Sequence, residues 1–272
     1  MRRIGFETEA LCYDDRGTGS EIVVNLHGGF FGRHDFQQVT PLLVDRYRCI
    51  TPQLRGFTSD GEVQDATEYL DVWIEDIVAL FDALSIERAH IHGTSTGGTV
   101  AMELAAQYSE RVSGLVLSGV VGRGDETTAI FASTWMKLAA ADPTGPGVGD
   151  LMSFFCFSRP YLEQLSAVRG LVEFLDLSLP EAFRRPELTA PLLMHDARPA
   201  ATLIRTPTLI LSGACDLIAP AVLGPSGCGS TELATLIAGA KCVELAAGHA
   251  MLLEAPDAAA QAILAFLGAS AL

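Results

Sequence analysis

Apolar positions along the chain recur with two periods, and the way the periods alternate is the first structural signal. Glu21-Ile-Val-Val-Asn-Leu-His27 is a β-branched run that ends at Gly28-Gly29, and Tyr47-Arg-Cys-Ile-Thr-Pro52 is another, closed by a proline. Between them, Phe36 to Leu43 suffices for a turn or two of helix. From Thr67 through Leu84, the residues Leu70, Trp73, Ile74, Ile77, Val78, Phe81 and Leu84 fall at helical spacing and form one apolar face. Glu68, Asp71, Glu75 and Asp76 read as the solvated side of that helix. Ala89-His-Ile-His92 is a short strand running into a turn at Gly93. Residues 96–108 then read as a helix with Val100, Leu104 and Ala105 inward, and Arg111 to Leu117 as another strand. This rhythm predicts a mostly parallel sheet with helices on both faces, an α/β fold.

From about 122 to 200 the rhythm breaks. The stretch is helical in flavour, interrupted by Asp142-Pro-Thr-Gly-Pro-Gly147, Arg159-Pro160, Leu179-Pro180 and Arg185-Pro186. Its aromatics Phe131, Trp135, Phe154, Phe155, Phe157 and Tyr161 show no strand alternation. The α/β pattern then resumes with strands at Pro207–Ser212 and Cys242–Leu245 and a closing helix over Ala258–Leu267. The simplest architecture is one core made from residues 1–121 and 201–272, with a helical insertion at 122–200. No internal repeat or low-complexity linker is visible.

Composition narrows the function classes. The 272 residues are 49% hydrophobic and 19% charged, enough for one large core plus a small insert. A net charge of −15 repels phosphate backbones and anionic headgroups, so neither nucleic acid nor a membrane surface is an expected partner. Glu7 and Glu9 break any apolar stretch behind Arg2 and Arg3, and no window approaches the roughly 18 apolar residues needed to span a bilayer. A cytoplasmic, unexported protein is expected. Cys12, Cys49, Cys156, Cys215, Cys228 and Cys242 form no CxxC pair or Cys/His metal spacing, and are expected to be reduced and buried, without a metal.

The candidate chemistry centres on Gly93-Thr94-Ser95-Thr96-Gly97, which follows a strand and precedes a helix. Glycines two before and two after Ser95 remove Cβ clashes in a very tight turn, and the free N–H groups of the helix start can stabilise negative charge. A serine hydroxyl is a poor nucleophile until a base takes its proton, and that base must be oriented by a carboxylate. In this strand-turn-helix context the acid and then the histidine follow the serine in the chain. Of the histidines after Ser95, His195 lies within the insert, whereas His249 directly follows the last strand and is the expected base. Asp216, at the end of the strand Thr208–Leu211, is the expected acid; Asp125, after the strand ending at Leu117, is the competitor. The oxyanion hole is assigned to the N–H groups of Thr96 and Gly29, with His27 bracing the Gly28-Gly29 loop. Gly224-Pro-Ser-Gly-Cys-Gly229-Ser230-Thr231 resembles a phosphate-binding loop but lacks its lysine, and reads as a flexible loop. His90 and His92 lack further ligands at metal spacing and read as packing residues.

Taken together, His27-Gly28-Gly29, Gln53-Leu-Arg-Gly-Phe57 with Ser59-Asp60, Gly93-Thr-Ser-Thr-Gly-Gly98, Gly213-Ala-Cys-Asp216 and Gly248-His249…Glu254-Ala-Pro256 resemble the α/β-hydrolase superfamily over nearly the whole chain. Gln53 stands where aspartate is common, Thr58 where a glycine is common, and Thr96 where most members carry a larger residue. The resemblance implies an eight-stranded, mostly parallel, doubly wound sheet and makes residues 122–200 a cap over the site. It also implies a cofactor-free serine hydrolase that opens an ester, lactone or thioester of a hydrophobic small molecule, working as a monomer or homodimer. The same scaffold carries carbon–carbon hydrolases, acyltransferases, lyases, cofactor-free oxygenases and ligand receptors, which stand as alternatives.

Overall fold

Runs of β-branched residues that are apolar on both faces have to be covered on both faces. A computed structural model describes residues 2–5, 10–57, 69–141, 146–164, 187 and 189–270, and gathers these runs into one eight-stranded sheet. The six strands expected from the pattern are β3 (Glu21–Leu26), β4 (Tyr47–Pro52), β5 (Ala89–Thr94), β6 (Val112–Ser118), β7 (Thr208–Gly213) and β8 (Lys241–Leu245). Two more, β1 (Arg2–Gly5) and β2 (Ala10–Arg16), precede them and carry no apolar alternation. The strand order is β1-β2-β4-β3-β5-β6-β7-β8, antiparallel in the β1/β2 and β2/β4 pairs and parallel elsewhere.

The described α-helices are α1 (Thr40–Leu43), α2 (Tyr69–Ala83), α3 (Thr96–Gln107), α4 (Glu126–Ala141), α5 (Pro146–Cys156), α6 (Arg159–Leu162), α7 (Arg198–Leu203), α8 (Ser230–Leu236), α9 (Met251–Glu254) and α10 (Pro256–Ser270). The single helix expected over 36–43 is instead a 3₁₀ turn at Gly32–Phe36 followed by α1. One face of the sheet is covered by Trp73, Ile77 and Phe81 of α2, Val100 and Leu104 of α3, and Leu233 of α8. The other is covered by Ala259, Ile263 and Leu267 of α10, with Phe36 and Tyr47. A third apolar cluster unites Phe131, Trp135, Met152 and Phe157 of the helical stretch between β6 and β7 with Phe30, Phe31, Ile218, Ala250 and Leu253. Full burial of each such large side chain contributes about 1.5–3 kcal/mol, enough to hold the stretch against the loops that follow β3, β7 and β8.

Several expectations change. Asp76 is buried, because Arg55 reaches it with Nε at 3.1 Å and Nη2 at 2.5 Å, so it does not share the solvated face of Asp71 and Glu75. All six cysteines are free, but only Cys49, Cys156 and Cys228 are buried; Cys215 and Cys242 are exposed and Cys12 is intermediate. Cys242 is exposed because β8 is an edge strand open to solvent along most of its length. The loop read as flexible at 224–229 is tied down through a bridge between Arg123 and Cys228 and through the Gly224 N–H, which donates to Asp125. Thr58, Ser59-Asp60, Glu68, Leu179-Pro180 and Arg185-Pro186 lie outside the described residues. No described helix is long and apolar enough to cross a membrane.

Candidate active site

Ser95 sits between the end of β5 and the start of α3 with φ 51° and ψ −119°, a left-handed conformation that a non-glycine residue adopts only when its surroundings enforce it. Those surroundings are close. A Cβ on Gly93 would lie 2.3 Å from the Gly97 carbonyl oxygen, and one on Gly97 would lie 2.0 Å from the Leu26 carbonyl oxygen. The turn therefore closes only with glycine at both positions, and it lifts the serine side chain above the carboxyl edge of the sheet. Ser95 is partly exposed while the residues on either side are buried.

The loop after β8 brings His249 to this serine. Its Nε2 lies 3.0 Å from Ser95 Oγ, and its Nδ1 lies 2.9 Å from Asp216 Oδ2. A carboxylate only accepts, so Nδ1–H donates to Asp216 and Nε2 is left to accept from the serine hydroxyl. Asp216, in the loop after β7, is fixed by two further bonds: the Ile218 and Ala219 N–H groups each donate to Oδ1 at 2.8 Å. Burial opposes charge on His249, yet Asp216, aided by Asp35, outweighs it and holds the imidazole above its ordinary value of 6.5. Gly119, at φ +58°, makes room for the ring, since a Cβ there would lie 3.2 Å from His249 Cε1 and Nδ1. Asp125 has no part in this group. It accepts from the Thr128 N–H at 3.0 Å and from the Gly224 N–H at 2.8 Å, and so starts α4 and pins the 224–229 loop.

The loop after β3 forms the facing wall. His27 is fully buried and braces it: Nε2 accepts from the Leu54 N–H at 3.0 Å and Nδ1–H donates to the Gly28 carbonyl at 2.8 Å. Burial depresses the His27 pKa to about 4, in keeping with that neutral tautomer. Gln53 replaces aspartate to some purpose here, because its amide both reaches His27 Nε2 at 3.2 Å and accepts from Arg33 Nε at 2.9 Å; an aspartate could not donate to that nitrogen. Gly29 lies beneath Thr189, whose side chain would meet an added Cβ at 2.7–2.8 Å. Thr96 opens α3, where a first-turn N–H has no intrahelical acceptor. His195 is engaged elsewhere, 2.9 Å from Glu103.

Two features of this wall carry no sequence signal. Phe30 lies edge-on to His249, with ring centroids 5.8 Å apart, and packs on Trp135 at 4.8 Å. Asp35 is buried and borders the same narrow cavity as Ser95, His249, Phe31 and Leu253. Its Oδ2 accepts from the Gly28 N–H at 2.6 Å, and burial pushes the carboxyl up to about 7. A larger apolar hollow of about 500 Å³ lies outside this cavity, against Phe154, Phe157, Leu162 and Leu217, and Ser95 and His249 do not border it. Among the described residues no cluster of His, Cys, Asp and Glu is suited to a metal ion. As a unit, the site can move a proton from a serine hydroxyl to an imidazole that a carboxylate orients.

A model of the alpha/beta hydrolase family matches residues 23–262. Three relatives illustrate the range of its neighbours. The 2-hydroxymuconate semialdehyde hydrolase of Pseudomonas sp. (strain CF600) is 32% identical over 148 residues, about half of each protein (53% of this chain and 50% of the relative). The 2-hydroxy-6-oxo-6-phenylhexa-2,4-dienoate hydrolase of Comamonas testosteroni is 31% identical over 224 residues, covering 77% of this chain and 76% of the relative. A Mycobacterium tuberculosis protein named "Putative non-heme bromoperoxidase BpoC" is 30% identical over 265 residues, covering 94% and 97%. Its crystal structure superimposes with a TM-score of 0.81 over 96% of both chains.

Proposed function

The chain belongs to the alpha/beta hydrolase family, and from that premise we propose that it is a serine hydrolase of an ester-type bond (ester, lactone or thioester) in a hydrophobic small molecule. The observation that carries the reading is the continuous run Ser95 Oγ, His249 Nε2, His249 Nδ1, Asp216 Oδ2, with neighbouring partners at 3.0 and 2.9 Å. His249 takes the serine proton as Oγ attacks the carbonyl carbon, and Asp216 stabilises the imidazolium that forms. The Gly29 and Thr96 N–H groups face the developing oxyanion, where each well-aimed donor lowers the barrier by about 3–4 kcal/mol. His249 returns the proton to the leaving oxygen or sulfur. Water, deprotonated by the same ring, then frees the acid from Ser95. The aromatic helical stretch from 122 acts as the cap, and its Trp135 backs Phe30 over the histidine.

A second reading uses the same residues for hydrolysis of a carbon–carbon bond, and it is favoured by relatives named as hydrolases of a semialdehyde and of a 2-hydroxy-6-oxo dienoate. A fluorophosphonate should label the wild type at Ser95 and leave Ser95→Ala unlabelled. Hydrolysis of p-nitrophenyl butyrate should fall by about 10³-fold or more in Ser95→Ala and in His249→Ala. A folded wild type that resists the label would overturn the nucleophile. Faster consumption of a 2-hydroxy-6-oxo dienoate than of any ester would replace the first reading with the second.

A further inference from the structure

The mechanism above leaves unused the one carboxyl that borders the cavity among the described residues. Asp35 is a buried carboxyl with a single hydrogen bond, from the Gly28 N–H to Oδ2, and its other oxygen has no partner among the described residues. It is close to the reacting atom. The point that a Cβ on Gly28 would occupy lies 3.1 Å from Asp35 Oδ2 and 3.1 Å from Ser95 Cβ, so the two atoms are separated by at most twice that distance. Among the described residues that border the cavity there is no lysine or arginine to balance the carboxyl; His249 is the other titratable group of that lining, and Asp216 already engages it. Thr94, which also borders it, spends its hydroxyl on the Ser118 carbonyl at 3.2 Å, and Phe30, Phe31, Leu252 and Leu253 line the wall with apolar surface.

An anion so placed bears on two parts of the reaction. It opposes the negative charge that develops when Ser95 attacks a carbonyl, unless a proton or a hydrogen-bond donor shields it. It also opposes any second carboxylate in the same cavity, where low dielectric strengthens the repulsion. A substrate that brings its own donor to the free oxygen relieves both.

We propose that Asp35 is the specificity-determining residue of the cavity, selecting an acyl chain that carries a hydroxyl donor a few bonds from the scissile carbonyl and rejecting one that carries a carboxylate there. The proposal rests on Ser95 being the nucleophile, and it deepens the ester reading by giving the substrate a polar handle. It also separates this site from enzymes whose substrates are dienoates, because such substrates bring a carboxylate of their own.

The test compares kcat/KM of the full chain at pH 8, where the Asp35 carboxyl is ionised, for p-nitrophenyl butyrate, p-nitrophenyl 3-hydroxybutyrate and mono-p-nitrophenyl succinate. The wild type should prefer the hydroxy ester over butyrate, and butyrate over the succinate, each by about tenfold or more. In Asp35→Asn the side-chain carbonyl still accepts from Gly28, but the anion is gone. The succinate-to-butyrate ratio should rise about tenfold and the hydroxybutyrate preference should shrink. A wild type that turns over succinate as fast as butyrate overturns the proposal without any variant. So does an Asp35→Asn enzyme whose ratios match the wild type while Ser95 still takes a fluorophosphonate, for then Asp35 only anchors the loop. If wild-type Ser95 takes no label, the nucleophile assignment fails and the selector fails with it.

Discussion

The loop after β7 and the loop after β3 each hold a buried aspartate whose charge reaches His249, yet they partner it differently. Asp216 is saturated: two backbone N–H groups take Oδ1 and His249 takes Oδ2. Asp35 has one backbone N–H and a cavity. Saturation fits a carboxylate held still beside the histidine. A buried carboxyl with a vacant oxygen works the other way, since the fold carries its desolvation until a ligand arrives. The contrast teaches that burial alone does not assign a role to an acid. What occupies its lone pairs does.

The largest effect should come from breaking the saturated side. Asp216→Asn keeps the shape but loses the ion that orients His249, and kcat/KM for p-nitrophenyl butyrate should fall by about 10³–10⁴-fold. Asp216 and Asp35 both raise the histidine, so the acid limb of the wild-type profile should lie above 6.5 and should move to lower pH in Asp216→Asn. Asp125→Asn is the control. It should retain activity within a few-fold and lose about 1 kcal/mol of stability with the start of α4. If Asp125→Asn were the more damaging of the two for turnover, the assignment of the acid would be reversed.

Next in size is Gly29→Ala. The added methyl group would meet Thr189 at 2.7 Å, so the loop or the threonine has to shift. A displaced oxyanion donor should lower kcat by about 10²-fold with KM little changed. An unchanged kcat would remove Gly29 from the oxyanion hole.

The two loops also differ in how far the sequence announces them. Asp216 ends a β-branched strand and precedes Ile218 and Pro220, and His249 follows the last strand, so periodicity plus chain order finds both. Asp35 stands in the 3₁₀ turn between β3 and α1, where neither period applies, and only the path of the chain brings it to the cavity that Ser95 borders. Asp76 departs from the face its spacing predicts for a related reason: its partner Arg55 is remote in sequence, so helical spacing describes its position and misses its pairing. The strand β2 carries no strand pattern because Asp14 and Asp15 interrupt it, and those charges are answered by Arg33 and Arg48 from other elements. Local pattern therefore yields the layers and the residues at strand ends. Long-range pairing of charges lies beyond it.

A smaller effect, of opposite sign to the first, should come from the unsaturated side. The Asp35 carboxyl is held at about 7 against an ordinary 3.8, so the folded protein disfavours its ionised form. That penalty is absent below 3.8, grows as pH rises between the two values, and is constant above about 7. Asp35→Asn should thus stabilise the protein by on the order of 2 kcal/mol at pH 8, raising Tm by roughly 4–8 °C, and by little at pH 4. A destabilised variant at pH 8 would show that the Gly28 bond outweighs the buried charge, and the comparison with Asp216 would collapse.

Glu254 supplies the smallest and most discriminating case, because it resembles Asp216 in saturation but lies outside the proton path. Its carboxylate accepts from the Gly248 N–H and the Ser158 N–H, each at 3.0 Å, and from the Ser158 hydroxyl. It thereby ties Ser158, between α5 and α6 of the helical stretch, to the residue directly before His249. The Ala250 N–H adds a bond to the Cys156 carbonyl at 2.8 Å, so the histidine loop and the insert are joined on both sides of His249. Glu254→Gln keeps one accepting oxygen and puts a donor in place of the other, next to N–H and O–H groups that can no longer all be satisfied. Stability should drop by about 1–2 kcal/mol at neutral pH, a Tm loss of roughly 2–8 °C, while kcat changes only a few-fold because Ser95, His249 and Asp216 keep their own bonds. If filled lone pairs are what make a buried acid stabilising, Glu254→Gln and Asp35→Asn have to move Tm in opposite directions at pH 8. Shifts of the same sign would show that partner count is the wrong variable.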